Sequence, residues 1–552
     1  MAPSHPSKSV CEFFYTEVQS RIWKCNKCLK TKTKNGGWTN LLSHLRACVG
    51  LEYEKIYDDH KKLETTASVA RTGRFFLRVS EREREMYQWI KFIVMKNLPV
   101  SFVDCPYTRE IAKLKPVSGR TLRCNILALR EILRETIKRD LPSKFIVVFD
   151  GWSEGSHHYI GVAASYMTKI DSKEVAVQTM LSMQPLLTGG IQGMRAKDHL
   201  EHLSRILQSY GKTCADIICL VGDNCSVNQS MARTLQIPLI GCASHKFNLA
   251  VRRWIDLQPD LTPIVHKVGL VMKKASTLKV ASQLRELTSY ATVRNNDTRW
   301  SSTFQMVERF LKIQNELSSV VDLLSLLPNH LEVDLLARAF CSMKKFDSVT
   351  IMLQQDGMSF VESREIFDLF LIDFPDFAHY ISNEASIIED EMFEKAVMQL
   401  ARGMPLTEEQ RNSIQGLLVK PDNNQGTEDN ESNAENSDEE DTSETFSQAL
   451  QRKLKRQKRE RGLEQLGDKY LNLDMLPGTS VNCERLFSMA KFILSDTRKR
   501  TNPNLFEALL LLKVNTRFWS VYSVGEAMGL TAATTTALTN ADDDDIGSDS
   551  DD

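Results

Sequence analysis

Between residues 145 and 254 the apolar residues change their spacing in an order that few sheets can accommodate. The run Phe145-Ile146-Val147-Val148-Phe149, closed by Asp150, has the length and composition of a buried strand. Tyr159 to Met167 and Glu174 to Met183 follow as two more strand-like runs joined by polar turns, which predicts an antiparallel meander. Ala196 to Ser209 then reads as a helix, with Leu200, Leu203, Ile206 and Leu207 on one face. Ile217 to Gly222 returns as a strand, Ser226 to Leu235 as a helix, Ile237 to Gly241 as a short strand, and Ser244 to about Trp254 as a helix. A meander followed by helix, strand, helix and strand sets the first and fourth strands side by side.

That order is the order of an RNase H-like core, and it makes neighbours of Asp150 and Asp223, each of which closes an apolar strand. Open α/β sheets carry their chemistry at this edge, where acids brought together hold divalent cations through oxygen ligands. Singly, either aspartate is as readily a turn former or a helix cap. As a pair they weigh more, because close carboxylates repel one another unless a cation lies between them. Glu484 sits in an apparent helix, Ser480 to Ser488, and no local pattern joins it to the pair.

Near the start of the chain, Cys25-x2-Cys28 and His44-x3-Cys48 have the spacing of a four-ligand structural zinc site. Two ligands on a tight turn and two on one helix face close a tetrahedron. Zinc then supplies folding energy that so short a segment lacks. Phe13, Phe14, Trp23, Trp38, Leu41 and Leu42 supply a small core. Lys24, Lys27, Lys30, Lys32, Lys34 and Arg46 make the module basic, as phosphate contacts require. A zinc-stapled protein-interaction module is the alternative role.

At 552 residues, 42% of them hydrophobic, the chain is expected to form three or four domains. It has no apolar stretch near the roughly 20 residues that span a bilayer, and no secretory signal, so a soluble intracellular protein is expected. Twelve cysteines are too dilute for a disulfide scaffold and imply a reducing compartment. The net charge of -1 hides segregation. Asp422 to Glu444 and the tail from Asp542 to Asp552 are acidic and are expected to be disordered. Arg452 to Arg461 between them is strongly basic: a nuclear import signal, a phosphate-binding helix or a solvated helix face.

The N-terminal module resembles a BED-type zinc finger, with Cys48 as its last ligand. Val148-Phe149-Asp150-Gly151-Trp152-Ser153, Val221-Gly222-Asp223-Asn224 and Cys242-Ala243-Ser244-His245-Lys246-Phe247-Asn248-Leu249 look like the catalytic core of hAT-superfamily DNA transposases. Asn296 to Thr303, Leu476 to Ser488 and Arg498 to Trp519 are similar to the same family, in its order. The resemblance implies a multidomain α/β plus α chain: a zinc finger (1–52), a helical DNA-binding or oligomerisation region (53–140), the first part of the RNase H-like core (141–256), a helical insertion domain (257–420), an acidic linker (421–450), a basic helix with the glutamate helix and the C-terminal dimerisation segment (451–520), and an acidic tail (521–552). It implies a catalytic Asp150-Asp223-Glu484 triad holding Mg²⁺ or Mn²⁺, structural zinc on Cys25, Cys28, His44 and Cys48, and DNA contacts at Trp300, Arg299, His245, Lys27, Lys30 and Arg46. Trp300 matches a tryptophan that stacks on a displaced base, and Cys242-x2-His245 a structural or DNA-contacting motif. His157 and His158 read as ordinary surface residues in a polar loop. Leu505 to Val514 is apolar on nearly every side, which burial in a partner or in the chain's own core would satisfy; the resemblance favours a homodimer or higher homo-oligomer. A nuclear transposase on double-stranded DNA follows, with a domesticated, non-enzymatic zinc-finger regulator as the alternative, and a plain nuclease as a third class.

Overall fold

A computed structural model of the chain describes residues 10–11, 14–19, 21–25, 30–34, 37–49, 79–170, 173–296, 299–418, 445–463, 469–494 and 501–538. They group into two compact units, one within Met1–Phe92, Val100–Asn125 and Trp519–Asp552, the other within Ile93–Pro99 and Ile126–Phe518. Phe13, Lys27, Cys28, the acidic segments at 421–444 and 539–552, and Arg498 lie outside the described residues.

In the first unit, β1 (Tyr15–Gln19), β2 (Ile22–Cys25) and β3 (Thr31–Thr33) form an antiparallel sheet followed by helix α1 (Thr39–Cys48). Arg21, in the left-handed region at φ 67°, makes the turn between β1 and β2. Leu41 and Leu45, four apart on α1, are fully buried against the sheet residues Tyr15 and Trp23. The Tyr15 hydroxyl donates to the Leu41 carbonyl at 2.8 Å, and Trp23 meets Trp38 edge-on with centroids 5.1 Å apart. Among the described residues, eight that are buried make this core.

The second unit is built on a five-stranded mixed sheet of β4 (Phe145–Glu154), β5 (His157–Ile170), β6 (Lys173–Pro185), β7 (Ile217–Gly222) and β8 (Leu239–Gly241). Its order is β6-β5-β4-β7-β8, antiparallel through the first three and parallel from β4 to β8. Phe145 to Phe149 are buried along their whole length because β4 is covered on both faces, which accounts for an apolar run without alternation.

Three details depart from the sequence reading. β4 does not end at Asp150: its parallel pairing with β7 stops at Val148 opposite Val221, but β5 pairs with it on to Glu154 opposite His157, so Asp150 lies inside the strand, opposite Gly161. β8 begins at Leu239 and not at Ile237, because Pro238 has no N–H to donate; its carbonyl still accepts from Leu220 N–H. His157 and His158 open β5 instead of lying in a loop, and His158, half-buried, bonds through Nδ1 to Ser153 Oγ at 2.9 Å.

Helices α2 (Gly119–Asp140), α3 (Ala196–Ser209), α4 (Ser226–Leu235) and α5 (Ala243–Asp256) accompany the sheet. Between Leu261 and Leu418 the described elements are helical, among them α6 (Leu261–Ala275), α7 (Trp300–Lys312), α8 (His330–Leu353), α9 (Phe360–Asp373) and α10 (Glu391–Ala401). Phe346, Phe370, Phe374 and Phe377 pack ring on ring there, with centroids 4.7 to 6.0 Å apart. Each such pair adds about 0.5–1.5 kcal/mol beyond burial. Lys246 on α5 and Glu394 on α10 form a buried ion pair at 3.0 Å. Helix α11 (Phe446–Leu463) carries the basic run and sets Leu450 into the same aromatic core, with Phe446 and Leu454 beside it.

The chain then forms α12 (Val481–Ile493) and α13 (Pro503–Val514). The residues of α13 from Phe506 to Leu512 are all buried, packing on β6, and Phe506 meets Tyr159 edge-on at 5.3 Å. The chain's own sheet therefore accounts for the all-round apolar character of this helix. Within α13, Glu507 is 0% exposed and takes hydrogen bonds from Arg134 (2.7 Å), Ser182 (2.6 Å) and Gln184 (2.8 Å). A carboxylate so buried leaves the fold unstable unless its oxygens are matched by partners such as these.

Candidate functional site

Asp150, Asp223 and Glu484 line one cleft of about 450 Å³, together with Trp152, Cys242, Ser244, His245, Asn248, Arg299, Trp300, Gln354 and Phe487. Local constraints bring each acid there. Gly222 lets β7 lie close to β4: a Cβ at that position would stand 3.2 Å from the Phe149 carbonyl oxygen. Asp223, the next residue, thus emerges beside Asp150. Its Oδ1 accepts from Asn228 Nδ2 and, at 3.4 Å, from Cys225 N–H, both at the start of α4.

Glu484 arrives on the first turn of α12. Cys483, fully buried, directs its thiol between the carbonyls of Val148 and Gly161, 3.9 Å from each. Phe487 lies so close over Gly161 that a Cβ there would be 3.2 Å from its ring, and the same ring stacks on Trp152 at 5.9 Å. Upstream of the helix, Gly478 accepts from Ala243 N–H (2.9 Å) and donates to the Met358 carbonyl (3.0 Å). Ser480 N–H donates to Cys242 Sγ at 3.3 Å. Cys242 is therefore a buried clamp between the end of β8 and the glutamate helix, while His245, one turn on, is exposed in the cleft.

The electrostatics record crowding of like charge. Burial pushes the Asp150 carboxyl up to about 7, Glu484 and Asp223 add to the rise, and the Gly151 N–H and Arg299 oppose it. Glu484 is half-buried and ion-paired, with Arg299 Nη2 2.7 Å from its Oε2. Each acid can be a hard oxygen donor. Their oxygens are not gathered within single-ion range: among the described residues, the three-ligand set whose atoms all lie within 4.8 Å of one another is Cys25, His44 and Cys48.

Arg299 and Trp300 stand at the start of α7. Asn248 Oδ1 accepts the Trp300 backbone N–H at 2.9 Å, fixing the helix start against α5. Trp300 is 2% exposed and packs on Phe304 and Phe346. A ring so covered stacks on a base only after its neighbours move. Arg299, in contrast, is exposed, and it lines a second cleft of about 400 Å³ beside the first, walled by Arg252, His266, Lys273 and Arg294.

In the zinc-spaced module, Cys25 ends β2 and its N–H donates to the Lys30 carbonyl at 2.9 Å, closing the turn. His44 and Cys48, four apart, share a face of α1 with their ligand atoms toward Cys25. Burial lowers the His44 pKa, aided by Lys32 and Lys30, which favours the neutral imidazole a metal needs. This Cys-His-Cys set fits a zinc ion. Lys30 and Arg46 are exposed nearby.

Sequence reasoning missed Trp152, Phe487, Asn248 and Gln354, which line the first cleft, and the second cleft altogether. Trp152, Asn248 and Phe487 stood inside motifs already quoted; Gln354 carries no local signal. Among the described residues no helix is long and apolar enough to cross a membrane. Compared with known proteins, the chain matches no family model and no curated protein. Among solved structures it is similar to the Drosophila P element transposase strand transfer complex at 12% identity, covering 87% of this chain and all of that one, with a TM-score of 0.27, too slight a likeness to carry an argument.

Proposed function

We propose that the chain is a DNA transposase of the hAT type, in which Asp150, Asp223 and Glu484 act on DNA phosphodiesters with two divalent ions. The observation that carries this reading is the convergence on one cleft of three carboxylates from β4, the end of β7 and α12, far apart in sequence. The strand order β6-β5-β4-β7-β8 supports an RNase H-like core, the arrangement that sets the first two acids side by side. The Cys-His-Cys set supports a BED-type finger completed by Cys28.

Bound Mg²⁺ or Mn²⁺ would supply Lewis acidity and an activated oxygen nucleophile for an in-line displacement. Asp150, Asp223 and Glu484 would hold the ions. Burial first, and the charges of Glu484 and Asp223 second, raise the Asp150 pKa, and a bound cation would favour its ionised, ligating form. His245 and Arg299 line the same cleft and would meet the phosphodiester backbone, with Trp300 beside them. Lys27, Lys30 and Arg46 would contact duplex phosphates from the finger. The basic run on α11 would direct the protein to the nucleus, where it would work as a homodimer or higher homo-oligomer through the C-terminal segment.

The test is Mg²⁺- or Mn²⁺-dependent nicking of a labelled duplex by wild type, Asp223→Ala and Glu484→Ala, on the ends flanking the gene where these carry inverted repeats. Cleavage by wild type that both substitutions abolish, with DNA binding kept, supports the reading. Tight binding without cleavage on authentic ends sinks it in favour of a non-enzymatic zinc-finger regulator. One observation favours that second reading: Glu484 is engaged by Arg299, not free for an ion.

A further inference from the structure

Arg299 belongs to two clefts at once. Its guanidinium is 2.7 Å from Glu484 Oε2 in the acidic cleft, and the same side chain lines the neighbouring cleft with Arg252, Lys273 and Arg294. The side chains of those three cations are exposed and make no ion pair or hydrogen bond among the described residues, and Asp256 is the one acid among the described residues of that wall. Cations that outnumber the acids along one cleft form a seat for an anionic strand, at an energy set by the phosphates that would neutralise them. The side chain of Arg299 is 59% exposed, so packing does not lock it in place. Its backbone is anchored, because Trp300 beside it is buried and its N–H is held by Asn248. A long, mobile cation on a fixed pivot between an acidic and a basic cleft can serve either.

We propose that Arg299 is an exchange latch: it neutralises Glu484 while the acidic cleft holds no divalent ion, and when an ion takes its place the guanidinium passes to the basic cleft, completing a phosphodiester-binding set with Arg252, Lys273 and Arg294. This rests on the metal-dependent reading above. Metal loading and strand binding then favour one another, because each removes the competitor of the other. Coupling of this kind is reciprocal: whatever factor the ion adds to DNA affinity, DNA adds to ion affinity. Arg299 is here a positioning residue, with no bond made or broken at its own atoms.

The test uses the full-length, zinc-loaded protein and reads binding, not cleavage. Mn²⁺ binding without DNA is followed by calorimetry, taking as the cleft's own the heat that Asp150→Asn removes. Affinity for a short fluorescent DNA duplex is followed by anisotropy with and without Mn²⁺. Removing a competing, partly exposed ion pair should let Arg299→Ala bind Mn²⁺ about three- to five-fold more tightly than wild type. The strengthening of DNA binding by Mn²⁺ should fall by a similar factor in Arg299→Ala and persist in Arg299→Lys. Arg252→Ala should weaken DNA binding equally with and without Mn²⁺. Unchanged or weaker Mn²⁺ binding in Arg299→Ala would overturn the latch, leaving Arg299 a plain support of Glu484. A protein with no Mn²⁺ site sensitive to Asp150→Asn would overturn the metal reading of the cleft and the latch with it.

Discussion

The acidic cleft brings three carboxylates to one surface and the Cys-His-Cys knuckle gathers its ligand atoms within 4.8 Å, and the two are held by very different amounts of structure. The cleft stands on a five-stranded sheet whose strand β4 is buried over five consecutive apolar residues, with α12 locked on by Cys483 and Phe487. The knuckle stands, among the described residues, on eight that are buried and on three short strands. A large core can bury a carboxylate beside two others, and the raised pKa of Asp150 records that burial first and the neighbouring charges second. A small one cannot order its ligands unaided, and there the ion becomes part of the fold.

The largest effect expected from this contrast is at the knuckle. Stripping metal with a strong chelator, or replacing Cys48 by Ser, should remove a binding term of about 10 kcal/mol. Hydrogen exchange should then show residues 14–49 losing protection while β4 and β7 keep theirs. Equal loss in both places would break the contrast.

Next comes a test of how strongly the sheet unit is tied together. Glu507→Ala leaves Arg134, itself largely buried, without its closest carboxylate. A loss of about 3 kcal/mol is expected, since an uncompensated buried charge is left behind. The urea midpoint measures it, and Glu507→Gln, which retains hydrogen-bonding capacity, should lose less.

At the cleft itself the sign is reversed. The folded-state pKa of Asp150, about 7, lies above its ordinary value of 3.8, so folding favours the protonated form. That stabilising contribution is complete below pH 4 and is lost as the pH rises through 7. Asp150→Asn should therefore stabilise the metal-free protein at pH 8 relative to wild type, on the order of 2–4 kcal/mol, and the advantage should vanish near pH 4. Added Mg²⁺ should narrow the gap at pH 8 by stabilising wild type alone. An unchanged difference between pH 4 and pH 8 would show that folding does not raise the Asp150 pKa.

The smallest effect is at the basic surface of the knuckle. Lys30→Ala should leave stability unaltered and lower the slope of log affinity against log salt for duplex DNA by about one. No change in slope would take Lys30 off the DNA-binding face.

Much of the sheet was legible in the chain because its strands have strong local signals. Ala196–Ser209, Ile217–Gly222 and Ser226–Leu235 begin and end where periodicity and turn residues placed them. The end of β4 was not legible, because Gly151 to Glu154 carry no apolar run and are strand only through pairing with β5. Asp150 and Asp223 were found as a pair through strand order. Glu484 was reached through family resemblance alone, since nothing near Ser480 says where that helix will dock. Arg299 meets Glu484 from 185 residues away, and the basic cleft joins the Asn296 to Thr303 stretch to two segments, around Arg252 and Lys273, that carry no motif of their own.

The sequence by itself determined what local interactions can determine: the order of strands and helices, the four-residue spacing that puts His44 and Cys48 on one face of α1, and the apolar character of the Leu505 to Val514 helix. Tertiary structure alone decided that this helix is buried against its own sheet, that Trp300 is core, and that Arg299 stands between an acidic and a basic cleft. The reason is physical. Periodicity encodes which face of an element is covered, whereas the identity of what covers it depends on packing between segments hundreds of residues apart.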